Sequence, residues 1–116
     1  MLMTTVIQAM CDEFDVRLTH MMGPRRTQPL ASIRQLCYLA CYEVCDDKKL
    51  SDIAYKFNRD AGSIDYGMIR ARQILQENPN YAAKYHSVVD ALLAVNQPNN
   101  VVQLADVRNL RSAPGV

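Results

Sequence analysis

Residues 50–75, LSDIAYKFNRDAGSIDYGMIRARQIL, read as two helices joined by a tight turn at Asn58-Arg59-Asp60. Ile53, Ala54 and Phe57 give the first helix an inward face, and Ile64, Met68, Ala71 and Leu75 recur at helical spacing on the second. The second helix turns Gly62, Ser63, Tyr66, Arg70 and Gln73 the other way. Ser51 is a good N-cap, preceded by Leu50 and followed four residues later by Tyr55 as its hydrophobic staple, and Asp60 suits the cap of the second helix. Glycine inside a helix costs roughly 1 kcal/mol relative to alanine, so Gly62 and Gly67 need a reason. Close approach supplies one, with Gly67 against the preceding helix and Gly62 against whatever the outer face meets. The pattern is a helix-turn-helix, a unit whose second helix most often enters the DNA major groove.

Upstream of this stretch, Gly23-Pro24-Arg25-Arg26-Thr27 is a loop that holds two adjacent cations on backbone stiffened by proline. Such arginines can bridge two phosphates or enter a narrow minor groove, where negative potential is concentrated; a solvated surface loop is the plainer alternative. Pro29 then opens a long helix with Leu30, Ile33, Cys37, Ala40, Cys41 and Val44 along one face and Leu36 and Leu39 widening the stripe. Arg34 and Gln35 are expected on its more polar side, within reach of a phosphate, and Tyr38 and Tyr42 flank the stripe. Asp46-Asp47-Lys48-Lys49 reads as a solvated turn. The chain's net charge is only +1, but residues 17–72 carry ten Lys and Arg against six Asp and Glu. The positive charge therefore sits on the segment that contains the helix-turn-helix, where it can draw in phosphates.

At 116 residues the chain is expected to form one domain over residues 1–96, followed by a mobile tail over 97–116. Thr4 or Thr5 caps a first helix carrying Val6, Met10 and Phe14, which ends near Asp15 and Val16. Leu18, Thr19, Met21 and Met22 make a short second helix closed by Gly23 and Pro24. A last helix starts at Asn78 or Asn80, with Pro79 in its first turn, and carries Tyr81, Tyr85, Val88, Val89, Leu92 and Leu93. Val101, Leu104, Val107 and Leu110 give the tail a short amphipathic stretch that could dock on its own domain, on a protein partner or on a second copy of the chain. The fold class is all-α, a bundle of five to six helices.

The order of these parts resembles the C-terminal DNA-binding domain of the bacterial replication initiator DnaA, in the Trp-repressor-like helix-turn-helix superfamily. The resemblance spans roughly Val6 to Leu93. It rests on two short helices, Arg25-Arg26-Thr27 at the family's basic loop, Arg34-Gln35 opening the long helix, Leu50-Ser51-Asp52-Ile53 at its Ser-Leu-Pro-Glu-Ile stretch, and Phe57-Asn58-Arg59-Asp60 at its Phe-Gly-Gly-Arg-Asp turn. It implies Arg25 or Arg26 in the minor groove, phosphate contacts from Arg34, Gln35 and Arg70, and base reading by the helix start, Ala61, Gly62 and Ser63. Thr27, Arg59 and Tyr66 complete the implied DNA surface. The family continues His-Thr-Thr-Val after the aspartate where this chain has Ala61-Gly62-Ser63-Ile64, so the imidazole and two threonine methyls that would read the family's usual DNA box are replaced.

The remaining chemistry is sparse. Cys37, Cys41 and Cys45 fall four apart within one helix, which disfavours disulfides between them, and Cys11 comes from elsewhere. Buried, inert thiols are the expectation and a metal or redox site the alternative. His20 and His86 are isolated, no acid and base pair converges, and no phosphate-binding glycine loop with its lysine occurs, so neither catalysis nor nucleotide hydrolysis is expected. No apolar run reaches membrane-spanning length and no signal peptide opens the chain, which points to a cytoplasmic, nucleoid-associated protein. The sequence thus favours a cofactor-free binder of double-stranded DNA that regulates replication or transcription. The alternative is a protein-interaction module on the same fold that no longer reads DNA.

Overall fold

The structure, a computed structural model, describes residues 1–45 and 49–95. The expected solvated turn at Asp46-Asp47-Lys48 and the expected tail lie outside the described residues. Among the latter there are six helices: α1 (Met3–Phe14), α2 (Leu18–Met21), α3 (Leu30–Val44), α4 (Leu50–Phe57), α5 (Ala61–Glu77) and α6 (Pro79–Val95).

Helix α1 ends where Asp15 turns into the left-handed region at φ 54°, and the Val16 N–H returns to the Cys11 carbonyl at 3.0 Å. Leu2, not Thr4 or Thr5, occupies its N-cap position, without a side-chain cap; Thr4 Oγ1 instead accepts from Lys56 Nζ of α4 at 3.3 Å. At the start of α3, Gln28 Oε1 accepts from the Ser32 N–H at 3.2 Å and the Ser32 hydroxyl at 2.7 Å, satisfying a donor that the helix cannot.

Helix α3 forms the centre of the bundle and packs against all five others. Ile33, Leu36, Cys37, Leu39, Ala40, Cys41 and Val44 are buried, and so are Arg34 and Tyr38. Within α3 only Tyr42 and Glu43 are exposed, and Arg34 is buried among the packed residues, which corrects its placement on the more polar side. Val6, Ile7, Met10 and Cys11 of α1 and Tyr85, Val88, Val89 and Leu92 of α6 close over α3. Edge-to-face rings join α1 to α6 through Phe14 and Tyr81 at 5.5 Å, and α3 to α4 through Tyr38 and Phe57 at 4.7 Å.

Helices α4 and α5 form the expected helix-turn-helix. Ile53, Ala54 and Phe57 are buried, as are Ile64, Met68, Ala71 and Ile74, with Leu75 half-buried. Two details differ from expectation. Lys49 holds the N-cap position of α4 in place of Ser51, its N–H donating to Asp52 Oδ2 at 2.7 Å; Tyr55 is 90% exposed and staples nothing. Gly67 meets α3 rather than the preceding helix α4: a Cβ there would lie 2.7 Å from Cδ2 of the Tyr38 ring. Only Asn78 separates α5 from α6, and its Oδ1 accepts from the Tyr81 N–H at 3.1 Å as a cap. All four cysteines are buried, and none is in a disulfide.

Candidate nucleic-acid interface

The first turns of α3 and α5 border one groove of about 290 Å³, lined by Arg26, Ala31, Arg34, Gln35, Tyr38, Arg59, Ser63 and Tyr66. Three of these eight side chains are arginines and none is a carboxylate. The amino ends of two helices add their own partial positive charge, so the groove is suited to an anion.

Its parts come from three segments. The loop after α2 brings Arg25, Arg26 and Thr27, all exposed. The buried side of α3 supplies Arg34, 3% exposed, whose Nε donates to the Met21 carbonyl at 2.9 Å and Nη2 to the His20 carbonyl at 2.8 Å, while Nη1 donates to the Arg25 carbonyl. The turn after α4 passes through the left-handed region at Asn58, φ 54°, and delivers Arg59. Arg59 Nε donates to the Tyr38 hydroxyl and Nη2 to the Gly23 carbonyl, each at 2.9 Å.

Burial, and after it the neighbouring Arg59 cation, pushes the pKa of Arg34 below its ordinary value. Burial pushes the Tyr38 phenol up, against the pull of Arg59, so Tyr38 is neutral at pH 7 and offers its oxygen as an acceptor. Cations therefore outnumber anions around the groove.

At the start of α5, Ala61, Gly62, Ser63, Asp65 and Tyr66 are all exposed, Tyr66 by 62%. The Ser63 hydroxyl donates to Asp60 Oδ1 at 2.5 Å and is the chief reason the Asp60 carboxyl lies below its ordinary pKa. With its proton committed to Asp60, the Ser63 oxygen offers lone pairs to a partner.

Of the residues singled out from sequence, Arg26, Arg34, Gln35, Arg59, Ser63 and Tyr66 converge on the groove. Arg25, Thr27, Ala61 and Gly62 do not line it but are exposed on the two segments that flank it. Arg70 stands further along α5, half-buried and bonded to Gln73 Oε1. Sequence reasoning missed Tyr38 as a member of this site and missed the carbonyl partners of Arg34. A signal was present: Arg34 falls on the same helical stripe as Leu30, Cys37, Cys41 and Val44.

The profile of the bacterial DnaA protein helix-turn-helix matches residues 3–71. The chain belongs to that DNA-binding family. The matched span runs from the first residue of α1 into α5, and so takes in the basic loop, the start of α3, the turn at Asn58-Arg59-Asp60 and the exposed first turns of α5. Helix α6 lies beyond it.

Proposed function

We propose that this protein binds double-stranded DNA through the arginine-lined groove and the exposed start of α5, and that it regulates replication or transcription in the cytoplasm without hydrolysing nucleotide. The observation that carries the reading is the groove, with three arginines, no carboxylate and two helix amino ends at one surface of a DnaA-family helix-turn-helix. Arg25, Arg26 and Thr27 contact backbone or minor groove from the loop, Gln35 and Arg70 contact phosphates, and Ala61, Gly62, Ser63 and Tyr66 face the bases. Among the described residues no helix is long and apolar enough to cross a membrane.

Base preference on this reading differs from the family's. Ala61 offers a methyl to thymine, and Ser63 offers an acceptor to the amino groups of adenine or cytosine. The second reading, a protein-interaction module, is favoured by the small side chains Ala61-Gly62-Ser63 at the position of base contacts.

Fluorescence anisotropy with random and DnaA-box duplexes over a range of salt separates the two. Expected is a steep fall of log affinity with log salt, its slope reduced by up to about 2 when Arg25 and Arg26 are both changed to Ala, at ~0.9 per phosphate contact. No complex with micromolar duplex at low salt would leave the protein-interaction reading standing.

A further inference from the structure

We infer that Arg34 and Arg59 are positioning residues that clasp the basic loop and fix its distance from the start of α5, rather than residues that grip phosphate themselves. The inference deepens the DNA-binding reading and rests on it.

Together the two guanidinium groups take four carbonyls from the short segment 20–25: His20, Met21 and Arg25 from Arg34, and Gly23 from Arg59. The backbone bonds within this region are local, from the Gly23 N–H to the His20 carbonyl at 3.3 Å and from the Ala31 N–H to the Thr27 carbonyl at 3.0 Å. The path of Arg25 and Arg26 is therefore set largely by the two arginine side chains. A guanidinium holds its donors in a rigid planar fork, so it can address several carbonyls at once in a way that a lysine cannot.

The clasp also joins two elements that must act together. Arg34 comes from buried α3 and Arg59 from the turn one residue before Asp60, the N-cap of α5. Through the Tyr38 hydroxyl, Arg59 is anchored to α3, and the glycine at position 67 lets the Tyr38 ring lie against α5. Loop, turn and reading helix thus share one frame. A protein that touches two grooves or a groove and a backbone at once needs that fixed spacing, because misplacing one contact forfeits it without removing any charge. The two cations still add to the field of the groove, while Arg34 commits its Nε, Nη1 and Nη2 and Arg59 its Nε and Nη2 to acceptors within the protein.

Charge-retaining variants test the assignment. Arg34→Lys and Arg59→Lys are each expected to weaken duplex binding about tenfold in the wild-type loop, and less than about twofold once Arg25 and Arg26 are both alanine. Tyr38→Phe, which removes only the hydroxyl, should reproduce part of the Arg59→Lys loss. Amide exchange across residues 22–28 should accelerate in both lysine variants while melting remains cooperative. Lysine restoring wild-type affinity, or losses equal in the two loop backgrounds, would mean direct phosphate contact and overturn the inference. If Arg34→Lys does not fold, Arg59→Lys and Tyr38→Phe carry the comparison. Wild-type protein that binds no duplex defeats the DNA-binding reading itself, and the inference falls with it.

Discussion

The hydrogen that glycine carries in place of a methyl at position 67 decides how near the Tyr38 ring comes to α5. Adding a Cβ there places it 2.7 Å from Cδ2 and 3.0 Å from Cε2 of that ring, and the ring is itself wedged against Phe57. Gly67→Ala is therefore expected to destabilise the fold by about 1–2 kcal/mol in urea melts, overpacking outweighing the gain in helix propensity. Gly62→Ala should do the reverse and stabilise by up to about 1 kcal/mol, since among the described residues an added Cβ would closely approach only the exposed Asp60 carboxylate, at 3.2 Å. The need for close approach at Gly67 was legible in the sequence, but its partner was not. Helical periodicity says which face of α5 is covered; it cannot say that α3, distant in the chain, covers it. Arg34 failed for a related reason: its place on the apolar stripe was visible, but the carbonyls that make a buried guanidinium tolerable belong to the end of α2 and the loop after it, 9–14 residues away.

At the scale of elements, caps are where sequence and structure part company. Ser51 is the better capping residue by type, but α4 begins at Leu50, so the residue that must cap it is Lys49, helped by Asp52 reaching back to the Lys49 N–H. Asp52→Ala is expected to cost about 1 kcal/mol and Ser51→Ala less than about 0.5 kcal/mol in the same melts, an order that reverses if Ser51 is the cap. The helices themselves were readable, including the short α2 and the near-continuous join at Asn78, because each carries its own apolar period and stop signal. Tyr55 was misassigned because a staple requires the neighbouring residue to sit one step before the true cap, and the cap lies two residues earlier than Ser51, at Lys49, which leaves the Tyr55 side chain in solvent.

The whole molecule depends on groups that must stay neutral. Burial pushes the Cys11, Tyr38 and Tyr85 pKa values above their ordinary values of 9.0 for a thiol and 10.0 for a phenol, and for Cys37 a hydrogen bond with Cys41 precedes burial as the cause. Each is protonated in the folded state at a pH where the unfolded chain has lost the proton. Their contribution is fully present below about pH 9 and is lost as pH rises from there toward the folded values. Melting temperature should therefore be level near neutrality and fall above pH 9, and Tyr85→Phe should flatten the part of that fall above pH 10. The division of labour within α5 has a consequence for how such proteins diverge. Ile64, Gly67, Met68, Ala71 and Ile74 are committed to the core, while Ala61, Gly62, Ser63, Asp65 and Tyr66 touch solvent. Mutations on the outer set leave the interior untouched, so target preference can drift, be lost or be rebuilt by single substitutions while the packing of the core is inherited unchanged. The lineage of the scaffold and the lineage of its binding site need not coincide.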